Sequence, residues 1–386
     1  MENAQPQVLS MAKRLVLIGN QAFSVVNFRG SLLKDLSERG VACFALAPGY
    51  TDATRSAVRE LGATPIDLTL SRTGMDPFRD LFAYREISAR IAEIRPDITL
   101  GYTPKPAILG TLAAKKAGVP KRFAMIEGLG WAFGAGGTIM EELRRKVARG
   151  VSVALYRQAL AAADNVFFLN EADVKDFEGL DLLRPGQAIL LGGIGVDLDY
   201  WTRQRPKPAT PAFVMMARMI RDKGVYDFVA AAQQLRRENM DARFILLGDL
   251  DLHPGAVRRS ELQGWVEDGV LEWPGHVEPK PWLEESSIFV LPSFYREGVP
   301  RSIQEAMAME MPIITSTVPG CRDTVEEGKN GLLVPPRDPA ALAAAMRKLA
   351  ERPDLIKEMG KNSRKIAKQR FDDKRSNRRV IDALHL

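Results

Sequence analysis

The sequence predicts an α/β protein with two parallel-sheet domains, one in each half of its 386 residues. Three observations carry that expectation. Short apolar or β-branched runs alternate with longer segments of helical period along the whole chain. The apolar runs are nearly continuous, which is how strands buried on both faces read. The alternation stops at the proline-rich stretch RQRPKPATP (203–211) and then restarts. Length agrees, because roughly one to two hundred residues per domain leaves two domains, each with a core of its own.

The first half reads as strands RLVLIG (14–19), ACFALA (42–47), ATPIDL (63–68), DITLGY (97–102), RFAMIE (122–127) and NVFFLN (165–170). Amphipathic stretches such as Ser24–Arg39 and Leu81–Ile94 lie between them. Pro206, Pro208 and Pro211 resist both helix and central strand, so 203–211 is read as a hinge. The second half supplies AFVMMAR (212–218), ARFILLGD (242–249), GVLEWPG (269–275), SIFVLPS (287–293), MPIITST (311–317) and GLLVP (331–335). The expected divisions are 1–202, the hinge 203–211, 212–365, and a carboxy-terminal stretch 366–386. Open parallel sheets bind ligands beyond the carboxyl ends of their strands, so two facing domains make a cleft and functional residues should follow strands.

Composition excludes several classes. With 46% hydrophobic and 26% charged residues the chain is too apolar for disorder. Cys43 and Cys321 cannot supply a disulfide framework or a four-ligand zinc site, so a reducing compartment is expected. No start resembles a signal peptide and no run of about 18 apolar residues is present, so the expected location is cytoplasmic.

The net charge of +6 invites polyanions. It is concentrated in two patches, 101–160 and 357–379, each with ten Lys/Arg against three acids. The second reads as a solvated helix. Nucleic acid is not expected, because no base-reading module accompanies either patch. In 139–162, apolar Ile139, Leu143, Val147, Val151, Leu155 and Ala159 form a stripe beside Arg144, Arg145, Lys146, Arg149 and Arg157. Preceded by Gly134, Gly136 and Gly137, this segment reads as a mobile loop and a basic amphipathic helix, facing either the core or an anionic leaflet.

The chemistry concentrates in two segments. FYREGVPRSIQEAMAM (294–309) follows an apolar strand and enters a helical pattern. Pro300 suits the first turn, and amides near Val299, Arg301 and Ser302 would favour an anion there. Glu297 and Glu305 flank that point, and a carboxylate can accept both hydroxyls of a vicinal diol. In MARMIRDKGVYDFVAAA (216–232), Arg218 and Lys223 sit in a strand–helix connection, where a planar fork and a point charge together fit a diphosphate.

These motifs, with PGCRDTVEEGKNGLLV (319–334), resemble the retaining glycosyltransferases of the GT-B fold, in which two Rossmann-like domains face each other across a cleft. GNQAFSVVNFRGSL (19–32), GYTPKPAILGTLAA (101–114) and EGLGWAFG (127–134) look like the subgroup that extends sugars on polyprenyl diphosphate carriers. The resemblance implies a UDP-sugar donor and a polyprenyl-diphosphate-linked saccharide acceptor at the inner face of the cell membrane. It implies neither metal nor cofactor. Arg218 and Lys223 would hold the donor diphosphate, Glu297 the donor sugar and Glu305 the ribose. Gly298, Val299 and Pro300 would leave room for the sugar phosphate, Arg301 would add a phosphate contact, and Gly248 would border the donor. The carboxy-terminal helix would cross back to the first domain.

Other residues are less specific. Many relatives place a His in the first domain, whereas His253, His276 and His385 all lie in the second half. Glu127, at a strand end, either orients the acceptor hydroxyl or pairs with a local cation. Amides of Gly19 and Asn20 could face the donor diphosphate, although the segment is not G-x-G-x-x-G. Asn27 and Arg29 are either cap and surface or ligands; Lys105 either meets the acceptor diphosphate or is solvated. Asp249-Leu250-Asp251 spells D-x-D, a metal motif elsewhere, but falls where this family has only a loop. His276 either contacts the base or is surface. Two rival readings keep the donor site: a soluble acceptor, or a non-catalytic nucleotide-sugar-binding scaffold.

Overall fold

A computed structural model describes residues 12–71, 76–134, 139–251 and 255–386. Gly136, Gly137 and His253 lie outside the described residues. The strands are β1 (Arg14–Ile18), β2 (Ala42–Ala47), β3 (Ala63–Asp67), β4 (Ile98–Tyr102), β5 (Lys121–Ile126), β6 (Asn165–Phe168), β7 (Ala188–Leu190), β8 (Ala212–Met216), β9 (Arg243–Leu247), β10 (Glu272–Gly275), β11 (Ile288–Leu291), β12 (Ile313–Ser316) and β13 (Gly331–Val334). The helices are α1 (Ala22–Glu38), α2 (Asp52–Glu60), α3 (Pro77–Ile94), α4 (Pro104–Lys116), α5 (Ile139–Leu160), α6 (Glu171–Glu178), α7 (Val225–Arg237), α8 (Arg259–Glu267), α9 (Pro279–Glu284), α10 (Arg301–Ala308), α11 (Pro339–Ala350), α12 (Pro353–Arg370) and α13 (Asp373–Leu384).

Two sheets form, in the orders β3-β2-β1-β4-β5-β6-β7 and β10-β9-β8-β11-β12-β13. Every described strand pairing is parallel, for example Leu15 opposite Cys43 and Ile313 opposite Gly331. The α/β class and its duplication therefore hold. The three-residue β7 was not foreseen, being too short to leave a pattern. The run at 269–275 pairs only from Glu272, because Gly269 at φ 67° closes α8 by donating to the Val266 carbonyl.

The chain forms two compact units. One comprises Met1–Met125, Leu155–Val166 and Val380–Leu386; the other Ile126–Ala154 and Phe167–Arg379. In the first, Val16 and Ile18 pack with Leu46, Ile87, Ile91 and Ala113. Helix α3 starts at Pro77, earlier than the apolar period suggested, since Asp76 caps it by accepting from the Phe78 and Arg79 amides. In the second, Phe213 stacks on Phe244 at 5.5 Å with Phe228 edge-on. Cys43 and Cys321 are buried, and burial pushes both thiols up to about 12.

The carboxy-terminal basic stretch is solvated as expected at every one of its ten Lys/Arg but Arg364. Helix α12 runs unbroken through residue 365, and Arg364 is half-buried. Its guanidinium donates to the carbonyls of Trp201, Ala308 and Leu198 and to Thr202 Oγ1. Residues Val380–Leu386 belong to the first unit, where Lys13 Nζ donates to the His385 carbonyl at 3.1 Å.

Helix α5 answers the open question about its stripe. Ala148, Tyr156, Ala159 and Leu160 face inward, whereas Ile139, Leu143, Val147, Val151 and Leu155 are exposed, Ile139 to 89% and Val147 to 61%. Arg145 and Arg149 lie over the Trp131 and Phe133 rings at 5.5 and 5.2 Å. Among the described residues no helix is long and apolar enough to cross a membrane.

Candidate active site

The second sheet gathers the charged residues at its carboxyl edge. After β8 the chain passes Arg218 and makes one 3-10 turn, Arg221–Lys223, before Gly224 turns it into α7. After β11 it reaches Ser293, Tyr295 and Glu297 and starts α10 at Arg301. The two connections meet. Lys223 Nζ is ion-paired with Glu297 Oε1, both side chains being more than four-fifths buried. Ser293 Oγ donates to the same carboxylate oxygen at 3.0 Å. The Tyr295 ring lies beneath both cations, 5.4 Å from Lys223 Nζ and 5.8 Å from the Arg218 guanidinium. Burial, above all, raises the Tyr295 phenol above its ordinary range, against the pull of Arg218. Arg218 also reaches Asp251 at 3.3 Å, so the second acid of the D-x-D is engaged by a cation. Among the described residues no group of three or more His, Cys, Asp and Glu side chains is placed to share a metal.

The second carboxylate occupies the next turn. Pro300 is the residue before α10 rather than within its first turn, and the amides of Val299 and Ser302 have no acceptor among the described residues. Arg301 Nε donates to Glu305 Oε1 at 2.9 Å, so the residue expected to contact phosphate is tied to the residue expected to hold ribose. Burial raises the Glu305 carboxyl above its usual range, partly offset by Arg301. The next residue inward, Gln304, was not singled out from sequence. It is fully buried, donates to the Val299 carbonyl at 3.0 Å and accepts from the Gly195 amide at 3.0 Å.

The loop carrying Glu297 is clasped on three sides. A Cβ on Gly298 would sit 2.8 Å from the Glu127 carbonyl and 2.9 Å from Leu169, and one on Gly320 would meet the Gly298 carbonyl. Gly130 donates its amide to the Arg296 carbonyl at 3.2 Å. Asn170 Nδ2 donates to the Gly298 and Glu297 carbonyls at 2.8 and 3.3 Å, while its Oδ1 caps α6 at the Asp173 amide. Arg296 binds Asp173 at 3.0 Å and Asp176 at 2.5 Å. Burial lifts the Asp173 carboxyl to about 6 despite Arg296 and Asn170. Sequence signals for this clasp were weak: N-x-x-D at 170–173 marks a helix cap, but nothing local shows that the other end of Asn170 holds a loop well over a hundred residues away.

The remaining expected residues separate. The backbone of Glu127 lies against Gly298, at the site. Gly248 at φ 142° abuts the Ala217 carbonyl, donates to Gly275 and accepts from Trp273 Nε1, so it is built into the β8–β10 edge. His276 is exposed beyond β10. In the first unit, the Gly19 amide is spent on the Leu46 carbonyl and its missing Cβ makes room for the Tyr102 hydroxyl, which corrects the reading of that amide as a phosphate donor. Asn20 is half-buried just after it. Asn27 is exposed and turns back to the Phe23 carbonyl. Arg29 is buried against Met125 with its guanidinium 4.6 Å from the Tyr102 ring. Lys105 is not a solvated loop lysine: it sits in the first turn of α4, paired with Asp80 at 2.5 Å.

Comparison with known proteins finds relatives for both halves of the chain. A family model described as glycosyl transferases group 1 matches residues 210–352, and a glycosyl transferase 4-like domain matches 26–191. The chain is 26% identical over 371 residues to a Campylobacter jejuni protein named N,N'-diacetylbacillosaminyl-diphospho-undecaprenol alpha-1,3-N-acetylgalactosaminyltransferase, covering 92% of this chain and 94% of the relative. The fold matches that of sucrose-phosphate synthase from Thermosynechococcus elongatus with a TM-score of 0.78 at 18% identity, over 97% and 98% of the two chains. It also matches Anabaena HepE, solved with UDP-glucose, with a TM-score of 0.73 at 16% identity, over 96% and 99%.

Proposed function

The chain belongs to the group 1 glycosyltransferases of GT-B architecture, and we propose that it moves a hexose or N-acetylhexosamine from a UDP-sugar to a polyprenyl-diphosphate-linked saccharide, with retention of configuration and without a metal, in bacterial surface glycan assembly. The observation that carries this reading is the convergence of Lys223, Ser293 and Glu297 beside Arg218 and Tyr295 at the carboxyl edge of the second sheet. The acceptor class is supported by the name of the Campylobacter relative, and the UDP-sugar by the Anabaena complex.

In this reading the donor diphosphate replaces part of the ion pair. Lys223 turns from Glu297 to the phosphate, and Arg218 binds from the other side. The freed Glu297 carboxylate, still held by Ser293, accepts donor-sugar hydroxyls, and Glu305 accepts the ribose diol. As the bond from the anomeric carbon to the phosphate oxygen lengthens, negative charge gathers on UDP next to two cations already in place. The acceptor hydroxyl attacks from the same face and passes its proton to the departing phosphate oxygen. Glu127, whose backbone adjoins Gly298, orients that hydroxyl. Catalysis then rests on positioning and charge.

The exposed stripe of α5 with its arginines and lysine supports peripheral attachment to an anionic inner leaflet. The test measures UDP released in the presence of polyprenyl-diphosphate saccharides. Lys223→Met and Glu297→Gln should each lower turnover about a hundred- to a thousandfold with far-ultraviolet circular dichroism unchanged; full activity in both would overturn the site. Co-sedimentation with phosphatidylglycerol vesicles should be lost on charge reversal at Arg144, Arg145 and Arg149. Absence of vesicle binding, with turnover on soluble acceptors, would favour the soluble-acceptor reading, and donor binding without turnover the scaffold.

A further inference from the structure

A cavity of about 500 Å³, within the range of small-molecule sites, lies in the second unit between the proline stretch 203–211 and the first turns of α12. None of the residues of the Glu297 site lines it. Its charge is one-sided: Arg203, Arg205, Lys207, Lys357 and Lys361 line it, with Glu310 as its acid. We propose that this pocket is a second anion site, built to receive a phosphoryl group.

Two of the cations are held there by the fold. Arg203 donates to four carbonyls, of Met309, Glu284, Leu283 and Ser286, and so forms a fixed positive wall with four of its five N–H donors used. Lys207 follows between Pro206 and Pro208, which stiffen its backbone. Its ammonium donates to the Ile356 carbonyl at 3.0 Å and lies where a Cβ on Gly360 would stand. One of its three donors is thereby used, and two remain for a ligand. Burial first, and Arg203 second, lower the Lys207 ammonium to about 8, against the pull of Glu310. Lys357 and Lys361, one turn apart on α12, are exposed and make no ion pair among the described residues. Arg205 is mostly exposed and 3.7 Å from Glu284. Like charges gathered around a concavity repel one another. A dianion removes that cost, and its three or four oxygens match several separate ammonium donors better than a carboxylate would.

Two sources share this chemistry, a phosphorylated solute and a phospholipid headgroup. The full chain is titrated with inorganic pyrophosphate by calorimetry, and separately sedimented with phosphatidic acid vesicles. Lys207→Met and the double substitution Lys357→Ser/Lys361→Ser are compared with wild type and with a control pair at exposed lysines outside the pocket, Lys115→Ser/Lys348→Ser. The expected result is at least tenfold weaker binding in both pocket variants and little change in the control. A loss confined to pyrophosphate assigns a soluble ligand; one confined to vesicles assigns a headgroup. Equal binding by wild type and pocket variants in both arms, or an equal loss in the control, overturns the site. Because each comparison subtracts binding at Lys223 and Arg218, the outcome is independent of the donor-site reading.

Discussion

The glycines that follow β1 and β11 are used for different purposes. At Gly19 the missing Cβ makes room for a side chain, the Tyr102 hydroxyl, which Ser24 Oγ meets at 2.9 Å. At Gly298 it makes room for backbone, the Glu127 carbonyl, while Asn170 fastens the carbonyls on either side of the Gly298 amide. A side chain can swing away. A strand-end carbonyl cannot. The first exit is therefore packed, and the second is a fixed mount for the Glu297 carboxylate.

The comparison is broken most sharply at the glycines themselves. Gly298→Ala should abolish measurable transfer and cost about 1–3 kcal/mol of stability or more. Gly19→Ala should cost no more than that, and Tyr102→Phe, which removes the atom its Cβ meets first, should restore part of it in urea unfolding. Equal and unrescued losses at the two positions would erase the distinction.

Asn170→Ala comes next. It leaves the buried Gly298 carbonyl without its donor, costing about 1–3 kcal/mol. Turnover should fall roughly tenfold, more than at Asn27→Ala in the first unit, whose exposed amide only turns back along its own helix.

The last effect is one of pH, and it bears on stability rather than on turnover. A carboxyl raised to about 6 by folding favours the native state most below its unfolded value of 3.8, and loses that contribution as pH rises through 6. Stability should decline by about 2 kcal/mol between pH 4 and 7 from this group, and Asp173→Asn should flatten the slope. A slope unchanged in the variant would assign the decline elsewhere; Glu305, also raised by burial, contributes in the same sense.

Much of this molecule is written in local pattern. Strand runs such as RLVLI and IFVL are continuous because parallel strands are covered on both faces, and Asp76-Pro77 marks a helix start by chemistry confined to a few residues. Glu297, Arg218 and Lys223 were legible because chain order places strand ends together at one edge of a parallel sheet. The same logic could not distinguish Lys105 in solvent from Lys105 on Asp80, or Arg301 on a phosphate from Arg301 on Glu305, since ion pairs are chosen among neighbours that only folding supplies.

By itself the sequence determined the α/β class, its duplication, the irregular stretch at 203–211 and the identity of the charged residues after β8 and β11, because these follow from short-range periodicity and residue chemistry. Tertiary structure decided which face of α5 stays in solvent, that Arg29 is buried on Tyr102, and that Asn170, Arg296 and Gln304 hold the loop of Glu297. A hydrogen bond or a close backbone approach across more than a hundred residues leaves no period in the chain; it exists only once the chain has folded.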